Sequence, residues 1–407
     1  MGVRRLWARI FTRPPFPHAS WGVTAATLAP LVRTAGLLSA CAPAHGTVRV
    51  DASGILLFGA AADKANDVTV TASGADVLVS DAGDTITPGS GCTAEDADTA
   101  RCTSVTLVFL NLGNGDDTAS NTTNVTSSLV GGPGNDVLDG GPATDELSGD
   151  EGADTLNGNG GDDALKEGRS SASTDVLDAD TFNGGLGRDF ARYDFSTQSI
   201  GVDLDGVADD GRPNEGDNVK ADVQGVTGGA AADRLVGNSG DNALIGSGGA
   251  DELVGGLGID TLRGQVGDDR LVEATGAANT DALDADTFVG DTGVDTVSYQ
   301  DATVQVQVDL DGVHGGVGDD GRFGEGDNVF ADVENITGGG GDDVLTGNTV
   351  ANRLEGRAGP DTISGAAGPD VLRGDAGFDL LNGGTETDDC DVGGVGADGG
   401  SEFNCEV

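Results

Sequence analysis

A nine-residue period dominates the chain. "GGPGNDVLD" (131–139) is followed without a gap by "GGPATDELS", "GDEGADTLN" and "GNGGDDALK". Each segment opens on glycine, carries an acid at its sixth position and a leucine at its eighth. The same register returns over 228–272 and 338–391, so that the three blocks hold four, five and six contiguous units. The eighth position holds Leu138, Leu147, Leu156 and Leu165 in the first block, and Leu235, Leu244, Leu253, Leu262 and Leu271 in the second. A leucine every nine residues cannot keep to one face of a helix that turns every 3.6 residues. It can face the inside of a coil built from short strands.

The composition agrees with a repeat architecture more than with an ordinary globular core. Glycine supplies 71 of 407 residues and aromatics only 4%. The formal charge of −48 rests on 69 acids, of which 13 are Glu and 56 Asp. Asp favours turns and compact loops where Glu favours helices. Such a charge repels nucleic acid and anionic membrane, and it strains a compact state unless cations neutralise it.

Residues 1–44 read as an export segment. Arg4, Arg5, Arg9 and Arg13 precede the apolar "GVTAATLAPLV" (22–32), and "APA" (42–44) offers a cleavage site. "LSAC" (38–41) resembles a lipoprotein processing box that would leave a lipid on Cys41, so secretion and lipid anchoring at the cell surface both stand open. Arg33 and Pro30 argue against a transmembrane span. The remaining cysteines fall in two local pairs, Cys92 with Cys102 and Cys390 with Cys405, which predicts two disulfides in an exported chain.

Organisation follows from the blocks. Residues 45–130 hold short β-branched runs separated by Gly, Asp and Asn, the pattern of a β-rich cap. Repeat block 1 with degenerate units takes 131–192, block 2 takes 228–298 and block 3 takes 338–391. Acidic inserts occupy 193–227 and 299–337, and a disulfide-tied C-terminal cap occupies 392–407. The inserts belong to a duplicated module: "TDVLDADTFNGG" (174–185) matches "TDALDADTFVGD" (280–291), and "VDLDGVADDGRPNEGDNVKADV" (202–223) matches 308–333.

The unit also carries a chemistry. Glycine permits positive φ, so successive carbonyl oxygens can curl toward one point. Calcium takes six to eight oxygens, carbonyl and carboxylate alike. In this pattern the units resemble the hemolysin-type (RTX) calcium-binding nonapeptide repeats. The resemblance implies an all-β fold, a right-handed parallel β-roll or β-helix solenoid with the N-terminal β-rich cap before it, and two nonapeptides per turn.

It also implies ions held between facing loops. One site would combine the carbonyls of Gly132 and Gly134 and the carboxylate of Asp136 with the carbonyls of Gly149 and Glu151 and the carboxylate of Asp154. Sixth-position ligands elsewhere would be Asp117, Asp145, Asp163 and Asp189; Asp233, Asp251, Asp260, Asp269 and Asp295; and Asp343, Asp361, Asp370, Asp379 and Asp388. This arrangement gives roughly nine Ca2+ ions, and folding coupled to their binding.

Departures mark weak points. Asn242 and Asn352 replace the sixth-position acid. Val350 and Glu386 stand at the fourth position, where a β-branched residue at positive φ is costly; this predicts a loose first turn in block 3. Gln265 and Arg357 at the second position are milder departures. The insert acids, Asp203, Asp205, Asp209, Asp210, Glu215 and Asp217 with Asp309, Asp311, Asp319, Asp320, Glu325 and Asp327, fit either further calcium sites or a solvated acidic loop.

Catalytic motifs are missing. The chain has no H-E-x-x-H and no G-x-S-x-G, and only His45 and His314 follow the export segment. The expectation is an exported, non-enzymatic calcium-binding protein of structural or adhesive type, with calcium as partner and a cell-surface or extracellular protein or glycan as the further one. The alternative is the calcium-binding module of a secreted hydrolase or toxin-like protein.

Overall fold

The computed structural model describes residues 45–61, 64–168, 178–273, 284–310, 320–323, 325–393 and 401–405. The export segment with Cys41, His314, Asp311 and Asp319 lie outside the described residues. Among the described residues every regular element is a strand, most of them three to six residues long, and none is a helix long and apolar enough to cross a membrane.

Strands pair in parallel with the strand one full turn away. Val137–Gly141 pairs with Thr155–Gly160 in a register that sets Leu138 beside Leu156, and Glu146–Ser148 pairs with Ala164–Lys166 so that Leu147 meets Leu165. Parallel pairing needs a crossover of a dozen or more residues, and two nine-residue units supply it. Successive eighth-position leucines therefore fall alternately on two sheets and point into one core. The leucines of blocks 1 and 2 are all completely buried. The seventh and ninth positions flank each leucine and point outward, as alternation along a strand requires.

The turns begin within the N-terminal region. Gly46–Val50 runs antiparallel to Ile55–Gly59, which in turn lies parallel to Leu107–Asn111. Asp67–Ser73 folds back on Asp76–Asp81 and lies parallel to Thr118–Asn121. Cys92 and Cys102 are bonded across the antiparallel pair Cys92–Ala94 and Thr99–Cys102. At the other end, Cys390 and Cys405 are bonded. They join the last strand of one sheet, Asp389–Asp391, to a residue two positions past the last rung of another, Ser401–Phe403.

Each insert exchanges one sheet for another. Before the first insert the turns alternate between the sheet of 146–148, 164–166 and 190–192 and the sheet of 137–141, 155–160 and 181–186. The former continues unbroken through 225–227, 243–248 and 261–266. The latter ends at Asn218–Val219, while a new sheet starts at Gly201–Asp203 and grows through 234–236, 252–254 and 270–272. The second insert repeats the exchange: the long sheet ends at Asn328–Val329, and Val306–Asp309 starts another that grows through 344–346, 362–364 and 380–382.

Block 3 corrects one expectation. Val350 does not enter the left-handed region; Asn348 Oδ1 accepts the Val350 N–H at 3.0 Å, an Asx turn that reshapes the loop. Leu354, in the same turn, is completely buried, so the turn is closed. Glu386 does take φ 87°.

The stacked leucines should dominate stability. Leu253 sits between Leu235 and Leu271 in adjacent rungs, and Leu253→Ala is expected to cost about 2–5 kcal/mol as a cavity in a packed core. Denaturant unfolding in saturating calcium measures this, and an unchanged midpoint would contradict the packing account.

Candidate metal centre

The sixth-position aspartates form ladders along the turns. Along each ladder, backbone N–H groups donate to Oδ1 of the aspartate one turn later: Asp117 to Asp136 and Asp136 to Asp154 at 2.7 Å, Asp145 to Asp163 and Asp251 to Asp269 at 2.8 Å, Asp361 to Asp379 at 2.9 Å. Asp189 and Asp295 donate instead to Gln224 Oε1 and Glu334 Oε2. One oxygen of every such carboxylate is thereby held in place. The other is aimed inward, out of reach of solvent.

Among the described residues, fourteen ladder aspartates have a buried Oδ2 that meets no donor. They comprise every aspartate expected as a ligand except Asp233 and Asp343. Burying an ionised oxygen without a partner costs several kcal/mol, and a fold that repeats the arrangement needs a compensating positive charge.

The first glycine of each unit makes room for that oxygen. A methyl group on Gly131 would collide with Asp136 Oδ2 and lie 2.8 Å from the Gly149 carbonyl oxygen of the next turn. Gly158 stands likewise against Asp163 Oδ2, with the Gly184 carbonyl at 2.6 Å. Gly365 stands so against Asp370 Oδ2 and the Gly383 carbonyl. Close approach, and not a positive φ, fixes glycine at the first position. Positive φ belongs to the second and fourth, as at Gly132 (108°) and Gly134 (150°); the second position also admits Gln265 and Arg357 at 75°.

The six residues expected to share a site face one another on adjacent turns. Gly132 N–H donates to the Gly149 carbonyl at 3.0 Å, Gly134 N–H to the Glu151 carbonyl at 2.7 Å, and Asp136 N–H to Asp154 Oδ1. Carboxylate and carbonyl oxygens converging in a pocket floored by glycine suit a hard, oxygen-seeking divalent cation. The residues present fit calcium, which would supply positive charge against the unpartnered oxygens.

Burial raises the pKa of many ladder aspartates, with neighbouring carboxylates adding to the effect at most of them. Asp136 is pushed up to about 7, and Asp154 and Asp163 to about 8. Asp251, Asp260, Asp295 and Asp361 rise to about 7. Asp145, Asp189 and Asp370 rise to about 6. A group whose folded value is raised contributes stability fully present below its unfolded value of 3.8 and lost as the pH climbs through the folded value. The metal-free turns therefore lose stability progressively from about pH 3.8 upward, the loss becoming complete at about pH 6 to 8, where those raised values lie.

At the remaining ladder positions the chain supplies its own donor. Asp233 Oδ2 accepts Gly229 N–H and Asp343 Oδ2 accepts Gly339 N–H, both at 2.7 Å. Asn242 Oδ1 accepts Asn238 N–H, while its amide donates to the Gln224 carbonyl. Asn352 is tied in the same way to Asn348 and Glu334.

Asp180 and Asp286 escaped the sequence reading, and Asp217 and Asp327, read there as insert acids, are ladder members. Asp154 N–H donates to Asp180 Oδ1, and Asp180 N–H to Asp217 Oδ1; Asp260, Asp286 and Asp327 form the same chain. Asp154 and Asp180 are 26 positions apart, one turn of 18 plus eight inserted residues. The "DADTF" before each phenylalanine, which mirrors "D-x-L" in a regular unit, was the available signal. In the first insert, one carboxylate oxygen each of Asp203, Asp205 and Asp209 lie within 4.8 Å of one another, and all three residues are at least partly exposed.

Acid should substitute for calcium in part. In excess chelator, far-UV circular dichroism is expected to show β structure near pH 5 and lose it by about pH 8.5 as the buried carboxylates ionise. With calcium the signal persists at both. Retention of β structure at the higher pH without metal would contradict this.

No curated protein matches the chain. Segments within 128–165, 227–272 and 330–398 match the RTX calcium-binding nonapeptide repeat, in overlapping groups of four copies. These repeats bind calcium, and their matched stretches cover ladder aspartates of all three blocks. Sequence register, parallel turns and matched stretches together show that the chain carries RTX calcium-binding nonapeptide repeats, in several copies across residues 128–398.

Proposed function

We propose that the protein is an exported structural or adhesive element, without catalytic function, whose roll folds as calcium binds. The observation that carries this reading is the repeated carboxylate oxygen, buried beside a carbonyl and lacking a donor. An unpartnered buried charge opposes folding; the same charge beside a divalent cation favours it. Ion binding and folding are then one event.

The ion count follows from the ladders. Eight pairs of successive aspartates in the same ladder both present a donorless oxygen: Asp117 with Asp136, Asp136 with Asp154, Asp145 with Asp163, Asp163 with Asp189, Asp251 with Asp269, Asp269 with Asp295, Asp361 with Asp379, and Asp370 with Asp388. One ion per pair gives eight, in line with the roughly nine expected from the repeat blocks. Gly132, Gly134, Gly149 and Glu151 add carbonyl oxygens to the carboxylates of Asp136 and Asp154.

The two disulfides fit an oxidising compartment, which supports export. A division into a 1–44 export segment, a 45–130 cap, blocks 131–192, 228–298 and 338–391, inserts 193–227 and 299–337, and a 392–407 cap accommodates these features. A calcium-stiffened roll of this kind, built from a strongly acidic chain, suits an extracellular protein or glycan partner.

Isothermal titration calorimetry with calcium, on chelator-treated protein, tests the reading. Roughly nine ions are expected, with β structure and compactness gained in step. Binding of only one or two ions, or a circular dichroism spectrum indifferent to EDTA, would overturn it.

A further inference from the structure

Both inserts contain the same three replacements for a metal ion. At the ladder ends, Asp217 Oδ2 and Asp327 Oδ2 stand where other ladder aspartates leave an oxygen without a donor. Here the hydroxyls of Tyr193 and Tyr299 donate to them, each at 3.0 Å. Each tyrosine is buried against a ladder phenylalanine, Phe182 at 5.7 Å and Phe288 at 6.0 Å between ring centres. A neutral O–H thus satisfies the oxygen.

A guanidinium lies beside each ladder end. Arg212 is mostly buried and reaches Glu167 at 3.0 Å, Asp178 at 3.4 Å and Glu215 through its Nε at 2.8 Å. Arg322 reaches Glu273 at 2.9 Å and Glu325 through its Nε at 3.1 Å. A permanently charged, planar five-donor group can serve several carboxylates at once. It brings positive charge to the interior by a covalent route.

One aspartate in each insert then ties the two exchanging sheets together. Asp210 Oδ1 accepts Asp203 N–H from the first strand of the new sheet at 2.7 Å, and its Oδ2 accepts Val219 N–H from the last strand of the old one at 2.8 Å. Asp320 does the same for Asp309 and Val329, at 2.8 and 2.9 Å. Both oxygens are satisfied by backbone donors.

We propose that the two inserts are metal-free splices. At each, tyrosine hydroxyl, guanidinium and a doubly bonded aspartate take the place of calcium and hold an old sheet, a new sheet and the continuing one in register when calcium is withdrawn. The roll is thereby divided into three stretches that load and lose ions separately, joined by two segments that stay assembled. Rebinding starts from those segments, whose register is already set. The proposal rests on the calcium-coupled folding of the ladders.

Hydrogen–deuterium exchange on the full disulfide-bonded chain, with calcium and then with EDTA, tests it. Splice amides are those of Asp203 and Val219, and of Asp309 and Val329; ladder amides are those of Asp251 and Asp361. On calcium removal ladder amides are expected to lose protection by at least about tenfold and splice amides by no more than about threefold. Tyr193→Phe with Tyr299→Phe should bring splice amides in EDTA down to the ladder level while leaving Asp361 unchanged in calcium. Equal loss at splices and ladders in the unsubstituted protein overturns the splices alone. Full protection of both in EDTA instead overturns the calcium-coupled folding beneath them.

Discussion

The structure depends on a carboxylate oxygen that has been buried and given no donor. Each ladder aspartate spends Oδ1 on the backbone N–H of the turn before it, so the register of adjacent turns is written into the same side chain that carries the charge. The second oxygen is then held in a narrow space between turns, floored by a glycine that lacks a side chain because the carboxylate occupies that volume. Hydrophobic burial of the stacked leucines draws the turns together. The unpartnered oxygens push against it until a cation is present.

This tension explains why departures from the repeat are not random damage. Asn242 and Asn352 carry an amide that donates where an aspartate cannot, and Asp233 and Asp343 bend back to a backbone N–H of their own unit. Tyr193 and Tyr299 end two ladders with a hydroxyl. In each case the second oxygen is either satisfied internally or replaced. The turns next to the inserts, where sheets are exchanged and a wrong register would be most damaging, are among those where the chain itself supplies the hydrogen-bond donor.

Much of this was legible in the sequence because the period is strict. Leucine every nine residues pointed to a coil of short strands, and the resemblance to RTX repeats implied two units per turn, which made partners of Asp136 and Asp154. The cysteine pairs followed from their local spacing. Asp180 and Asp286 were hidden by an eight-residue insertion that breaks the count while the three-dimensional turn continues. The sheet exchange was hidden because strands as short as Gly201–Asp203 and Asn218–Val219 have no periodicity of their own. The role of Gly131 was read as backbone freedom, whereas its neighbour's carboxylate sets it. Val350 was read as a strained fourth position because the Asx turn from Asn348 depends on a side-chain contact that propensity does not encode.

Anomalous diffraction from crystals grown in calcium would test the central claim most directly. The account predicts ion density beside Oδ2 of ladder aspartates such as Asp136, Asp154, Asp269 and Asp379, and none at Asn242, at Asn352 or between Tyr193 and Asp217. Ions at the asparagine and tyrosine positions, or ladder oxygens that remain without metal in calcium-saturated crystals, would contradict it.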